Sequence, residues 1–219
     1  MGSQGAPAVA RLVLLVQCVL LACVVPFFCS AEGPARPIRN AAGVFIRAFG
    51  VIAASCVIVL LLALIAGGPF RLAWVVRSAV ILTGFGLVLI GVSLLAGRLG
   101  AGAPARQIAA YAVAALMFGT VFYANPAVVA TRGRAKLAVV QTAVVANPMV
   151  CVAGSALDYD IMLSRRAPPS LYIQSLIGPD HLYRYPRWWA VGAVYSGVGL
   201  VLLLVSFIGS PVSDKVAGE

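Results

Sequence analysis

The chain has 219 residues, of which 62% fall in the hydrophobic set and only 10% are charged, with a formal net charge of +10. Soluble domains carry about 25% charged residues, so this composition excludes an ordinary water-soluble domain and points to a protein dissolved in a bilayer. The sixteen Lys and Arg residues are spread over every loop, which argues against nucleic acid as a partner and suits charges at headgroup level, beside anionic lipid.

Met1–Arg11 is short and polar, and Leu12–Phe28 follows as the first apolar run. Two readings compete for it. Arg11, the apolar core and Cys29-Ser30-Ala31 fit a cleaved secretory signal, but the run exceeds the usual ~7–15 residues, which favours a retained helix. Apolar residues continue past Leu20-Leu21-Ala22-Cys23, which argues against a lipoprotein box. The start, Met1-Gly2-Ser3-Gln4-Gly5-Ala6, lacks the Ser or Thr of a myristoylation signal.

Glu32–Arg47 is a connector containing proline and arginine. Phe49–Ala66 is the second span, ended by Gly67-Gly68-Pro69. Trp74–Ala96 is the third, entered through a cationic and aromatic collar of Arg71, Trp74 and Arg77 and rich in glycine (Gly84, Gly86, Gly91). After a turn over Gly97–Ala105 come Ile108–Ala130 and Leu137–Leu157, joined by the basic turn Thr131–Lys136. Each is long enough to cross a hydrocarbon core of ~30 Å at ~1.5 Å per residue. The turn is short, so the two helices are expected antiparallel and in contact. Asp158–Arg187 is the one substantial loop, and Trp188–Ile208 is the last span, closed by Gly209-Ser210-Pro211. The expectation is one all-α, polytopic integral membrane domain over 1–219, a bundle of six transmembrane helices (about 12–28, 49–66, 74–96, 108–130, 137–157 and 188–208), or five if the first is cleaved. Small residues recur at four-residue spacing, as at Ala115/Gly119, Gly192/Ser196 and Ala193/Gly197, and in lipid such faces let helix backbones approach closely.

Six alternating spans put seven basic residues on the amino-terminal side and nine on the other. The positive-inside rule then leans only slightly, toward the nine as the cytoplasmic or matrix side.

The central hairpin carries an Asn-Pro in each arm, Asn125-Pro126 and Asn147-Pro148. Proline removes a donor and clashes with the carbonyl four residues back, which frees Phe122 and Val144. Freed carbonyls in a bilayer need partners. Counting outward from the turn sets Asn125 opposite Gln141 and Thr142, and Asn147 opposite Thr120. The reading is a structural polar ladder of Thr120, Asn125, Gln141, Thr142 and Asn147, each interhelical bond contributing roughly 0.6–2 kcal/mol. The bland version is a kinked pair glued by amides; the functional version is a polar-lined path for a small solute.

Asn125-Pro126-Ala127 is similar to the tripeptide that aquaporins carry twice, capping half-helices that meet at the pore centre. The likeness stops at one tripeptide. The other pair here is Asn147-Pro148-Met149, in the neighbouring span and with no arginine following as a filter residue would. No family assignment rests on it.

No Asp or Glu lies inside a span, which argues against ion-coupled transport. The five cysteines form no Cys-x-x-Cys pair and His181 is the single histidine, so neither a zinc site nor any other cofactor is expected. The Asp158–Arg187 loop holds three of the six acids and four of the seven tyrosines. Asp158-x-Asp160 with Arg165 and Arg166 suits a divalent cation and a phosphate, hence a lipid-phosphate enzyme. The weaker demand is an interfacial segment in which Arg165, Arg166, Tyr172, Tyr183, Arg184, Tyr185, Arg187, Trp188 and Trp189 contact a partner or anionic lipid. The leading functional expectation is a non-catalytic structural or accessory subunit that meets other membrane subunits. A passive channel lined by the fourth and fifth helices comes second, and the loop enzyme third.

Overall fold

The structure, a computed structural model, describes residues 8–30, 43, 46, 49–54, 56–58, 61, 71–158, 162, 177 and 183–208. These residues are helical wherever they are regular, with no strand among them. In chain order the helices are α1 (Ala8–Ser30), α2 (Leu72–Arg98), α3 (Ala103–Tyr123), α4 (Asn125–Ala130), α5 (Gly133–Ala146), α6 (Pro148–Cys151), a single π-helical turn (Val152–Ala156) and α7 (Trp188–Phe207). A further apolar helical stretch runs over Phe49–Ile58. The expected second span is therefore described only in its first part.

Three helices are long and apolar enough to cross a membrane: α2, the nearly straight pair α3–α4 over Ala103–Ala130, and α7. A fourth is added if α5 and the Pro148–Ala156 segment count as one bent span. The span expected at 137–157 is described as two helical pieces, Gly133–Ala146 and Pro148–Ala156, that meet at 86°. Six crossings remain an expectation.

α2 is the central helix. Of its apolar window 56% is buried, against 17% for Ala103–Ala130 and 28% for α7. Phe85, Ile81, Leu82 and Leu89 on α2 are fully buried, and α1 joins the same core through Cys18, Leu21 and Val25. The Arg71 guanidinium lies 5.8 Å from the ring centroid of the buried Trp74, closing the entry end of α2 with a cation–π contact. At its other end the helix stops in a Schellman motif. Gly100 takes φ +86°, Gly100 N–H bonds Gly97 O at 3.1 Å and Ala101 N–H bonds Ala96 O at 3.0 Å. Pro104, in the first turn of α3, starts the return helix without wasting a donor.

α2 and α7 make the most extensive helix contact, and glycine makes it possible. A Cβ on Gly84 would sit 2.8 Å from Tyr195 Cβ, and one on Gly91 2.7 Å from Leu202 Cβ. From the other side, a Cβ on Gly199 would meet the backbone of Leu87 at 2.7 Å. Two glycines spaced by about two turns on each helix thus bring the backbones together, where dispersion between close-packed atoms drives association in lipid. The order of these contacts also fixes direction. Val80 meets Gly192, Leu87 meets Gly199, and the Arg98 side chain donates to Val205 O, so α2 and α7 run parallel. Third and sixth helices in a strictly alternating six-span bundle run opposite ways, and these two do not. α3–α4 runs antiparallel to α2, with the Phe85 and Phe118 rings tilted against each other at 5.7 Å near the middle of both.

Gly199→Ala is expected to destabilise the chain by about 1–3 kcal/mol through overpacking against Leu87. Gly197→Ala, whose Cβ would meet nothing within 4 Å, should stay within about 0.5 kcal/mol of the parent. Thermal unfolding of the two variants in the same detergent checks both.

Candidate functional site

The break between α5 and α6 is where polar chemistry concentrates. Pro148 has no N–H to give the Val144 carbonyl, and it pushes the residue before it out of the helical region. Asn147 accordingly sits at φ −95°, ψ 107°. Its own N–H turns to Val144 O at 3.3 Å, which leaves the carbonyl of Ala143 without its usual backbone donor. The carbonyls of Ala143, Val144 and Val145 at the end of α5 all take side-chain donors from other elements, Val144 in addition to the N–H of Asn147. Thr120 Oγ1 donates to Ala143 O at 2.9 Å. Cys151 Sγ lies 3.3 Å from Val144 O. Tyr195 Oη donates to Val145 O at 2.7 Å. The donors come from α3, α6 and α7.

Asn147 works in both directions. Its Oδ1 accepts from Val150 N–H at 3.0 Å, which caps α6, and its Nδ2 donates to Phe118 O at 2.6 Å across to α3. The side chain is fully buried. Thr120 and Asn147 thus meet on the same α3 face that the sequence register indicates, but they bond backbone carbonyls of the facing helix and not each other.

Asn125, Gln141 and Thr142 do not come together. Asn125 and Pro126 form the first turn of α4, Ala124 keeps helical angles, and Val128 N–H bonds Ala124 O at 2.8 Å, so this proline is absorbed with the helix almost straight. Asn125 is half-buried in that helix. Gln141 points elsewhere: its Nε2 donates to Arg184 O at 2.8 Å and its Oε1 accepts from Arg184 N–H at 3.4 Å. Thr142 is exposed on α5. Gln141 thus bonds the Arg184 backbone, where a rung to Asn125 was expected. The amide of Gln141 is taken up by the backbone of Arg184, which turn-counting along two helices does not include.

The second group of candidates lies at the entry to α7. Arg165, Arg166 and Tyr172 fall outside the described residues, as does Asp160. Tyr183 and Tyr185 pair edge to face at 5.4 Å, and the Tyr185 ring lies over Gly154, where a Cβ would collide with it. Trp188 packs partly into the core, while Arg184, Arg187 and Trp189 are exposed. Asp158, at φ 51°, faces Arg77 at 3.7 Å. Both side chains are partly open to solvent, where such a pair contributes about 0–1 kcal/mol. Among the described residues no three His, Cys, Asp or Glu side chains converge.

Beside the break, a groove of about 430 Å³ opens between α2, α3, α5 and α7. Val88 and Met117 line it along with Val194 and Val198, and its polar edge is Gln141, Thr142 and Tyr195. Tyr195 and Cys151 were not singled out from sequence. The available signal was that a phenol inside an apolar run needs a partner once it is buried.

No protein-family model, curated protein or solved structure matches this chain.

Asn147→Ala removes a cap and an interhelical bond together and should cost about 2–3 kcal/mol. Tyr195→Phe keeps the ring and deletes one bond, so about 0.6–1.7 kcal/mol is expected. Chemical or thermal unfolding in detergent orders the two, and a Tyr195→Phe loss larger than that of Asn147→Ala would contradict the arrangement.

Proposed function

We propose that this chain is a non-catalytic structural or accessory subunit of a larger membrane assembly. The supporting observation is the way the buried polar groups are used. Thr120 and Tyr195 donate to carbonyls at the broken end of α5, and Asn147 ties the break to Phe118 O on α3. Groups held that way stiffen a fold and are poorly placed to pass a solute or a proton along. The exposed apolar surfaces of α3–α4 and α7 are the faces on which companion helices or lipid would lie. The arginines and aromatics at the entry to α7 suit anionic headgroups.

One observation favours a second reading, a passive route for a small uncharged solute. The groove along α5 carries Gln141, Thr142 and the Tyr195 ring on an otherwise apolar wall.

The two readings separate on the full chain. As a subunit, it should leave its native membrane in lipid nanodiscs as part of a particle of fixed stoichiometry, while the chain alone in proteoliposomes shows no water or glycerol flux above empty liposomes. Flux by the lone chain that Asn125→Leu/Asn147→Leu abolishes, with folding intact, would replace the subunit reading with the channel.

A further inference from the structure

The two ends of the bundle can be told apart from contacts alone. Call the end holding Leu72, Ala130, Gly133 and Trp188 the entry end, and the end holding Arg98, Ala103 and Phe207 the far end. α2 and α7 both run from entry to far, as their contacts require. α3–α4 returns from far to entry. The chain therefore stands at the entry end at Thr131, and it stands there again at Arg187, where α7 begins.

What lies between goes in and comes back. α5 descends from Gly133 and reaches its deepest point at Asn147, which bonds Phe118 O. Phe118 is near the middle of Ala103–Ala130, about 18 Å from the Ala130 end at ~1.5 Å per residue. Val145, bonded by Tyr195, lies at a similar level, since Tyr195 is beside Gly84 in mid-α2. The chain then bends by 86°. By Asp158 it is back beside Arg77, in the second turn of α2 at the entry end, and Gly154 lies under Tyr185, just before α7. Residues 159–182 contain no apolar run long enough to cross.

We infer that residues 133–157 form a re-entrant hairpin that enters and leaves the bilayer on one side, so that the chain crosses an odd number of times and its basic-rich face meets the anionic leaflet. α1 runs with α2, its Leu21 level with Gly86 and its Cys23 carbonyl bonded by Tyr111 at 3.0 Å toward the far end. Phe49–Ala66 is the one apolar run available to bring the chain back before Leu72. The crossings are then α1, this run, α2, α3–α4 and α7. The amino terminus and the carboxyl terminus lie on opposite faces. This arrangement moves the arginines at 165, 166, 184 and 187 to the amino-terminal face and Lys215 away from it. Ten basic residues then stand against six, and the positive-inside rule turns the amino-terminal face to the cytoplasmic or matrix side. The hairpin opens toward that side, and so does the collar of Arg184, Arg187, Trp188 and Trp189. The inference is independent of the subunit proposal, which holds or fails on other measurements.

Cysteine accessibility on the full chain tests it. In a chain with Cys23→Ser and Cys29→Ser, the single additions Arg132→Cys, Arg187→Cys and Leu99→Cys are labelled with a membrane-impermeant maleimide. Sealed right-side-out and inverted vesicles are compared, with labelling in detergent as the total. Arg132→Cys and Arg187→Cys are expected to react fully from the same side, the cytoplasmic one, and Leu99→Cys from the other. Labelling of Arg132→Cys and Arg187→Cys from opposite sides overturns the hairpin. Should the substituted chains fail to fold, epitope tags on the two ends of the otherwise unchanged chain serve instead. Protease in sealed vesicles should remove one tag and spare the other, and loss or retention of both together overturns the odd crossing count.

Discussion

A carbonyl exposed inside a bilayer has no water to turn to, and at the broken end of α5 three in a row take side-chain donors from other elements. The rest of the bundle is arranged around that demand. α3 supplies Thr120, α6 supplies Cys151 and α7 supplies Tyr195, each within hydrogen-bonding range of one of the three. An unsatisfied group there would cost several kcal/mol. The three donors together are therefore what allow the chain to break so sharply at Asn147. Asn147 completes the device by capping the new helix with one atom and holding α3 with another.

For those donors to arrive, the helices that carry them must sit close, and that is the role of the glycines. Tyr195 reaches Val145 because its helix lies against α2 with Gly84 beneath its Cβ. A side chain at Gly84 or Gly199 would push α7 outward and draw the phenol away from the break. Gly154 plays a related part by admitting the ring of Tyr185, which anchors the segment entering α7. Gln141 holds that same segment by both polar atoms of its amide. Packing and hydrogen bonding are thus one system, with small residues setting distances and a few polar side chains using them. A body of this kind is suited to holding other helices in register, which is the role proposed for it.

The two Asn-Pro pairs show how far local sequence reaches. Both have the same chemistry, and both prolines lack the same donor. At Asn125-Pro126 the preceding Ala124 remains helical and the chain runs on. At Asn147-Pro148 the asparagine is extended and the chain turns by 86°. The difference lies in what surrounds them. At the second break a tyrosine, a threonine and a cysteine lie in reach of the carbonyls at the end of α5, and they support a full break there.

By itself, the sequence determined a chain whose helices are compatible with lipid. Its scarcity of charge and its long apolar runs require helices that satisfy their own backbones, and glycine, proline and the aromatic collar mark where several of them start and stop. Spacing from the turn set Thr120 and Asn147 opposite each other, and each bonds a backbone carbonyl of the facing helix. Tertiary structure alone decided the direction of α7, the fate of each proline and the partner of Gln141. Hydropathy records only whether a segment prefers lipid. Whether that segment crosses or turns back depends on donors far away in the chain, and those become neighbours only once the helices have packed.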